Sequence, residues 1–193
     1  MDENRQAMLS KKWIIEALLD LLKTKPYASI TITEITKKAG VARLTFYRNF
    51  DNKEEILLTR SNYLFQEYFN EIQKSEGTID INNALLQCFT YWKRDAEVME
   101  LLIKNNLIYL LDQPFYSFLE KIMEEVPAIK GLNEIQKTFI LGGLTRTMLQ
   151  WISTKSTDSP MQVTASILKL LDLEHLTNKQ KNIKEGEKNE QLY

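Results

Sequence analysis

The sequence predicts an all-α fold, with a small N-terminal unit of three helices followed by a larger helical domain. Apolar residues recur with the 3.6-residue period of a helix along nearly the whole chain. No run alternates apolar and polar residues well enough to predict a strand. Only six Gly and four Pro occur among 193 residues, which disfavours a turn-rich β architecture, and an apolar fraction of 44% is enough to bury a core.

Composition also limits the compartment and the class of protein. The sequence contains no apolar run of the roughly 18 residues that a membrane span needs, and its N-terminus lacks the apolar core of a secretory signal. The single cysteine, Cys88, has no intrachain partner. We therefore expect a cytoplasmic protein that does not contact the membrane. Residues 1–60 contain 11 Lys/Arg and 8 Asp/Glu, so a basic N-terminus precedes an acidic remainder.

The first two helices are predicted from apolar spacing and capping residues. Residues 10–22 carry apolar side chains on one helix face, and Pro26 ends this helix. Thr31 and Glu34 have the spacing of a capping box at the start of the second helix. Gly40 can adopt the left-handed conformation that ends a helix in a sharp turn.

The third helix, over residues 42–49, is predicted to pack against the first helix through Phe46 and Phe50, which lie four residues apart. Asn52 can cap a long fourth helix that begins near Lys53 and continues to about residue 74. Further helices are predicted over residues 81–94, 95–112, 114–125, 132–155 and 160–173. We therefore predict an N-terminal helix-turn-helix domain over 1–52, a helical domain over 53–176 and a mobile tail over 177–193.

The residues that follow Gly40 suit contact with DNA. In a helix-turn-helix, the second helix lies in the major groove and presents polar side chains from its outer face. Arg43 can bond both acceptors of a guanine, while Thr45 and Tyr47 can donate to base edges or phosphates. Lys53 lies in the first turn of the next helix, close to backbone N–H groups that attract anions. The alternative is a helical hairpin whose basic residues are merely solvated.

Three runs resemble one family of DNA-binding proteins. These are Ile-Thr-Lys-Lys-Ala-Gly-Val at 35–41, Thr-Phe-Tyr-Arg-Asn-Phe at 45–50, and Lys-Glu-Glu-Ile at 53–56. Together they resemble the N-terminal domain of the TetR/AcrR family of bacterial transcriptional regulators, over about residues 8–58. That resemblance implies an all-α homodimer, most often a repressor, whose C-terminal domain contains a ligand pocket and the dimer interface. The DNA contacts it implies are Thr33, Arg43, Leu44, Thr45, Tyr47, Arg48, Asn49 and Lys53.

Two residues depart from the family pattern in the third helix. Ala42 replaces a common capping Ser, which removes a cap worth about 1 kcal/mol. Leu44 replaces a smaller residue, which can alter the contact with bases. Farther along, Phe-Ile-Leu-Gly-Gly-Leu at 139–144, Trp151 and Pro160 resemble a subgroup that includes regulators of dihydroxyacetone kinase operons.

The two last helices are predicted to form the dimer interface. Gly142 and Gly143 each cost a helix about 1 kcal/mol relative to Ala, and close approach of another helix can offset this cost. Four helices from two copies would then form a bundle about a two-fold axis. The alternative is that their apolar residues are buried within one subunit. The predicted interface residues are Ile140, Leu144, Thr147, Met148, Trp151, Val163, Ile167, Leu170 and Leu171.

Aromatic residues of the larger domain can line an apolar cavity for a small-molecule effector. The residues predicted to bind it are Phe65, Phe69, Phe89, Trp92, Tyr109, Phe118 and Arg146. The alternative is that these aromatic residues form ordinary core, and that Arg146 makes an interface ion pair. His175 has no second ligand at metal-binding spacing, and the sequence contains no catalytic motif, so we expect no metal, no other cofactor and no enzymatic activity.

These features predict a dimeric, ligand-responsive transcriptional regulator that binds double-stranded DNA at a pseudo-palindromic site. Because most members of the family are repressors, the resemblance implies that this regulator is a repressor. A first alternative is a coactivator of the same family that acts mainly through a protein partner. A second alternative is a helical ligand-binding protein whose N-terminal domain no longer binds DNA.

Overall fold

The computed structural model describes residues 3–74, 79–127 and 129–171, and these ranges form nine α-helices without a strand. The all-α prediction is confirmed. The predicted tail over 177–193 and His175 lie outside the described residues, and none of the described helices could cross a membrane. The helices are α1 (Glu3–Leu22), α2 (Ile32–Ala39), α3 (Arg43–Asn49), α4 (Lys53–Gln73), α5 (Ile81–Arg94), α6 (Ala96–Lys104), α7 (Asp112–Glu125), α8 (Glu134–Ser153) and α9 (Pro160–Leu171), with short 3₁₀ turns at Tyr27–Ser29 and Ile108–Leu111.

Helices α1, α2 and α3 pack against one another to form the head, residues 3–52. Its core contains seven side chains that are at most 2% exposed: Ile14, Leu18, Leu22, Ile30, Ile35, Phe46 and Phe50. Phe46 of α3 and Phe50, which directly follows α3, have their ring centroids 6.0 Å apart, and α3 packs on α1 as the spacing predicted. Burial of two aromatic rings holds this seven-residue helix in place, since so short a helix is not stable alone.

Both ends of α2 have the geometry that their sequence signals predicted. Thr31 and Glu34 form the complete capping box at the start of α2. Gly40 ends α2 with φ of 67°, a conformation that disfavours any residue with a Cβ atom. The Val41 N–H then donates to the carbonyl of Thr36 across 3.1 Å, which closes the helix end.

Helix α4 connects the head to the body, residues 53–171. Its first turns contribute Ile56 and Leu57 to the head side, where α4 packs on α1. Its later turns bury Phe65, Tyr68 and Ile72 where α4 packs on α7 and α5. Because α4 is one continuous helix of 21 residues, we expect a displacement of one end to move the other end as well.

Within the body, α5 packs on α9 and α6 packs on α8. The prediction of one helix over 95–112 was wrong, because α6 ends at Lys104 and the chain turns at Asn105 and Asn106. Asn106 adopts φ of 56°, which Asn tolerates better than most residues because its side chain can bond locally. The turn at Ile108–Leu111 then leads into α7.

Candidate DNA-binding surface and ligand cavity

The outer face of α3 is exposed and rich in hydrogen-bond donors. Arg43, Leu44, Tyr47 and Arg48 are all exposed, with 61% of Leu44 and 45% of Tyr47 accessible to solvent. Phe46, on the opposite face, is fully buried. The helix therefore has one anchored face and one polar, basic face, which is the arrangement needed to enter a major groove.

Arg43 and Tyr47 form a preorganised pair on this face. The Arg43 guanidinium donates to the Tyr47 hydroxyl across 3.2 Å, and its central carbon lies 5.6 Å from the Tyr47 ring centroid. The Tyr47 ring stands edge-on to the buried Phe46 ring, with centroids 5.3 Å apart. A buried residue thus fixes the ring, and the ring orients the guanidinium, which lowers the conformational entropy that binding would cost.

Three other predicted contact residues lie on α2 and α3. Thr33 is exposed on the second position of α2, and Thr45 and Asn49 are partly buried on α3. The Asn49 side-chain amide donates to the Thr45 carbonyl across 2.7 Å, so one of its donors is already occupied. Together with Arg43, Leu44, Tyr47 and Arg48, they stay predictions as DNA contacts.

Lys53 is placed differently from the other seven predicted contacts. Its ammonium donates to the carbonyls of Tyr27 and Ile30, across 3.0 Å and 2.7 Å, and lies 4.3 Å from the Tyr27 ring centroid. Two of its three donors are therefore engaged within the chain. This geometry makes Lys53 a residue that fixes the turn between α1 and α2 against α4.

An ion pair near the surface supports the start of α2. The Lys25 ammonium bonds the Glu34 carboxylate, which also accepts from the backbone N–H and hydroxyl of Thr31. The Lys25 bond, followed by the Thr31 bonds, lowers the pKa of Glu34 from its ordinary value of 4.5 to about 2. The carboxylate remains ionised at neutral pH and complements the positive end of α2.

The body contains an apolar cavity of about 40 Å³ between α4, α5, α7 and α8. Ten of its twelve lining residues are buried, and Ile81 and Ile140 are partly exposed at its edge. No charged side chain lines it. The lining residues are Tyr68, Ile81, Ala84, Leu85, Cys88, Phe115, Phe118, Leu119, Ile122, Ile129, Ile140 and Leu144.

The polar side-chain atoms at this cavity are either already hydrogen-bonded or are weak hydrogen-bond donors. The Tyr68 hydroxyl donates to the carbonyl of Ala84, and burial raises its pKa well above the ordinary value. Burial also raises the pKa of the Cys88 thiol to about 12, so the thiol is neutral. Its sulfur lies 3.8 Å from the Met148 sulfur. The cavity therefore has apolar character despite these two residues.

The seven residues predicted to bind a ligand do not meet at one site. Phe118 lines the cavity, whereas Phe65, Phe89 and Trp92 are buried in aromatic contacts, such as that between Phe65 and Phe115 with centroids 5.6 Å apart. This agrees with the core alternative for these rings. Phe69 is partly buried and lines, together with Phe65 and Phe118, a second pocket of about 210 Å³ between α4 and α7.

Two of those seven residues do not line the apolar cavity. Tyr109 is 58% exposed, because the break after α6 places it in a 3₁₀ turn instead of a helix. Arg146 is exposed and lines a groove between α8 and α9, away from the apolar cavity. Sequence reasoning missed the aliphatic wall, whose signal was the inward helical spacing of Leu85 with Cys88 and of Leu119 with Ile122.

Most of the predicted interface residues are engaged within the chain. Leu144, Met148, Trp151 and Val163 are buried in the same subunit, which is the alternative that the sequence left open. Ile140 and Leu144 line the cavity. Thr147 and Ile167 are partly buried in the groove between α8 and α9, Leu170 is 83% exposed, and the side chain of Leu171 lies outside the described residues.

A different face of α8 is exposed and carries two large apolar side chains. Ile135 is 82% exposed and Phe139 is 74% exposed, and Gly142 and Arg146 follow on the same face at helical spacing. A Cβ atom added at Gly142 or Gly143 would have no neighbour within 4 Å. Packing within the chain therefore does not require glycine at either position.

Comparison with known proteins connects both regions to regulators. Residues 14–59 match the family model described as bacterial regulatory proteins, tetR family. The HTH-type regulator YxbF of Bacillus subtilis is 42% identical over 57 residues, which are 29% of this chain and only 15% of that protein. The dhaKLM operon transcriptional activator DhaS of Lactococcus lactis is 26% identical over 147 residues, which are 70% of this chain and 73% of that protein.

Solved structures show the same fold along most of the chain. A protein from Listeria innocua, Lin0861, superimposes with a TM-score of 0.71 at 13% identity, over 89% of this chain and 94% of that chain. The structure of the dihydroxyacetone kinase operon activator DhaS gives a TM-score of 0.58 at 20% identity, over 86% of this chain and 96% of that chain. The likeness therefore includes the body as well as the head.

Proposed function

The chain belongs to the TetR family of bacterial regulatory proteins, and from this premise we propose that it binds a pseudo-palindromic operator as a homodimer and represses transcription until an effector binds. Its relatives and its family are transcriptional regulators and not enzymes. The proposal concerns the operator contacts, the dimer, the sign of regulation and the effector, each of which has its own support and its own test.

The exposed Arg43–Tyr47 pair is the observation that carries the DNA-binding proposal. A guanidinium held at a helix surface can donate two bonds to guanine, and the Tyr47 hydroxyl can donate to a phosphate. Arg48, on the same exposed surface, adds a second positive charge. The Tyr47 ring packs edge-on against the buried Phe46 and orients Arg43, which lowers the conformational entropy lost by this pair on binding.

The test is the affinity of the full chain for its own upstream DNA, measured by fluorescence anisotropy at two stated salt concentrations. We expect the double variant Arg43→Ala with Tyr47→Ala to bind at least tenfold more weakly, since a bidentate contact alone contributes roughly 1–3 kcal/mol. Lys130→Ala, which removes an exposed charge from the body, is the control. Equal affinity of the double variant and the wild type would show that α3 is not the recognition helix.

The exposed face of α8 supports a homodimer. Ile135 and Phe139 are large apolar residues left open to solvent within one chain, and Gly142 continues that face with no side chain. Such a face permits close approach of a second helix, and a two-fold axis places the same face of each copy in contact. Two heads in one dimer would then bind two half-sites of DNA.

Substitution of Gly142 by Leu tests the dimer directly. Because nothing lies within 4 Å of the new Cβ position, the folded subunit can accept the side chain. We expect Gly142→Leu to raise the dimer dissociation constant at least tenfold in sedimentation equilibrium. Glu120→Leu, which also places a leucine on an exposed helix surface but in α7, should leave it unchanged. A Gly142→Leu chain that dimerises like the wild type would exclude this face.

Effector binding is proposed to act through α4. Tyr68 of α4 lines the cavity, and the same helix begins at Lys53, which holds the turn at Tyr27–Ser29. A second link runs through α6, which packs on α8, one of the helices that line the cavity: the side chain of Asn105, directly after α6, accepts from the Tyr27 N–H across 2.8 Å. An effector that binds one arrangement of α4 and α6 more tightly shifts the population of head positions, and only one spacing of the heads fits both half-sites.

A second candidate is activation of transcription, because DhaS, the relative that matches over 70% of this chain, is named as an activator. In this candidate the chain acts as a coactivator through a protein partner. Transcription in vitro from the upstream promoter separates the two candidates. A repressor lowers the transcript level in the absence of effector, whereas an activator raises it, and a coactivator is retained on its partner when DNA is removed by nuclease.

A further inference from the structure

We propose that the cavity between α4, α5, α7 and α8 binds an uncharged aliphatic group of the effector and rejects charged or polyhydroxylated ligands. This inference rests on the proposed function, because it names the chemical class of ligand to which the regulator responds. Its physical basis is the composition of the cavity wall, the state of the polar atoms in that wall and the position of the cavity edge.

The wall has no group that could stabilise a charge. All twelve lining side chains are uncharged, and ten of them are buried. A carboxylate, phosphate or ammonium placed there would lose its hydration without gaining an ion pair, and the penalty for an unpaired buried charge is large. The cost of desolvation therefore excludes charged metabolites, however well their shape fits the cavity.

The wall also lacks hydrogen-bond partners for hydroxyl groups. The Tyr68 hydroxyl is already bonded to the carbonyl of Ala84, and the neutral Cys88 thiol is a weak donor that lies against the Met148 sulfur. A polyol would leave several hydroxyl groups unpaired in this environment. A saturated hydrocarbon group loses nothing on entering, since it has no polar atom to satisfy.

The edge of the cavity sets the orientation of the ligand. Ile81 at the start of α5 and Ile140 in α8 are the two lining residues that are only partly buried. A single hydroxyl or ester at one end of the ligand can stay hydrated beside them, whereas a carboxylate there would lose part of its stronger hydration against the two isoleucines without gaining an ion pair. The volume of about 40 Å³ limits the enclosed part to a small group.

The experiment titrates the full-length chain with straight 1-alkanols of increasing length by calorimetry. We expect affinity to rise about fourfold with each added methylene until the cavity is full. Carboxylates with the same carbon number should bind at least tenfold more weakly, and glycerol should not bind. Carboxylates that bind as tightly as alkanols, or an affinity that does not depend on chain length, would overturn the proposal.

Two substitutions of the wall should change chain-length selectivity in opposite directions. Ala84→Leu fills the cavity and should lower alkanol affinity at least tenfold, whereas Leu119→Ala enlarges it and should move the optimum to longer alkanols. General destabilisation would weaken both variants alike. The control is Ala165→Leu on the exposed surface of α9, which should bind like the wild type.

Cys88 provides a readout of occupancy that does not depend on DNA. It is the single cysteine of the chain and lines the cavity, so the NMR resonance of its ¹³C-labelled β-carbon reports occupancy of this site. Saturating alkanol should shift this resonance, and an unchanged resonance would place the alkanol elsewhere. A chain that binds alkanols here but fails to bind operator DNA would refute the proposed function and leave this inference standing, while the reverse result would refute only the inference.

Discussion

The head and the body of this protein place their functional side chains in opposite environments. The head directs Arg43, Tyr47 and Arg48 outward into solvent and buries only what is needed to hold α3. The body directs its cavity inward and has no charged group in the cavity wall. DNA is a polyanion met at a surface, whereas an apolar effector must be removed from water, and each region suits one of these tasks.

One ion pair in the body and one in the head differ in their exposure to solvent, and therefore in the free energy that each contributes. The Arg60–Asp95 pair joins α4 to the junction of α5 and α6, and each side chain is only 13% exposed. The Lys25–Glu34 pair supports the head, and its side chains are 34% and 37% exposed. Water and salt screen the second pair but not the first, so removal of one partner should have unequal consequences.

The largest effect is expected from Asp95→Ala in the body. This change leaves the Arg60 guanidinium buried without its partner, in a position where its Nη1 atom already lacks a bond among the described residues. We expect the free energy of unfolding to fall by about 3 kcal/mol, measured by urea denaturation of the full chain. The double variant Arg60→Leu with Asp95→Leu should recover most of this loss. A double variant as unstable as Asp95→Ala would show that burial of the charge is not the cause.

A smaller effect is expected from Lys53→Met at the start of α4. The change removes two charge-assisted bonds to the carbonyls of Tyr27 and Ile30, which should cost about 2 kcal/mol of unfolding free energy. If Lys53 mainly holds the head together, the dependence of DNA affinity on salt should keep the slope of the wild type. Arg48→Ala, in contrast, should lower that slope by about one. A lowered slope for Lys53→Met would make Lys53 a phosphate contact after all.

Ala42→Ser is expected to stabilise the head. Ala42 is the N-cap of α3 with an extended backbone, and it has no side chain that could accept a bond from the first turn. A serine hydroxyl at this position should raise the unfolding free energy by about 1 kcal/mol. Ala28→Ser, an exposed change in the 3₁₀ turn, is the control and should have little effect. Stabilisation by both changes would point away from helix capping.

The head could be predicted from the sequence because its signals are local. Thr31, Glu34 and Gly40 define the ends of α2 through bonds to residues three or four positions away, and the structure has that capping box and that left-handed turn. The spacing of Phe46 and Phe50 likewise placed α3 on the core. Lys53 was the exception, because its partners lie 23 and 26 residues earlier and carry no sequence signal.

The body was less predictable because its site depends on contacts between distant helices. Ile140 and Leu144 have the spacing of an apolar stripe, and this pattern cannot distinguish a cavity wall from a dimer interface. Aromatic residues suggested a ligand site, but Phe65, Phe89 and Trp92 pack with other rings. The break at Asn106 also moved Tyr109 to the surface, since one left-handed residue changes the direction of everything after it.

The smallest expected effect is the pH dependence of the exposed pair in the head. The pKa of Glu34 is lowered from 4.5 to about 2 in the folded chain, chiefly by the Lys25 bond. A lowered folded pKa means that the stabilisation is fully present above about pH 4.5 and is lost as the pH falls toward 2. Glu34→Gln keeps a side chain that can complete the capping box but removes the charge. We therefore expect the melting temperatures of wild type and Glu34→Gln to differ slightly at pH 7 and to converge below pH 3. A difference that stays constant across this range would mean that charge on Glu34 does not stabilise the head, and that its contribution is the neutral cap alone.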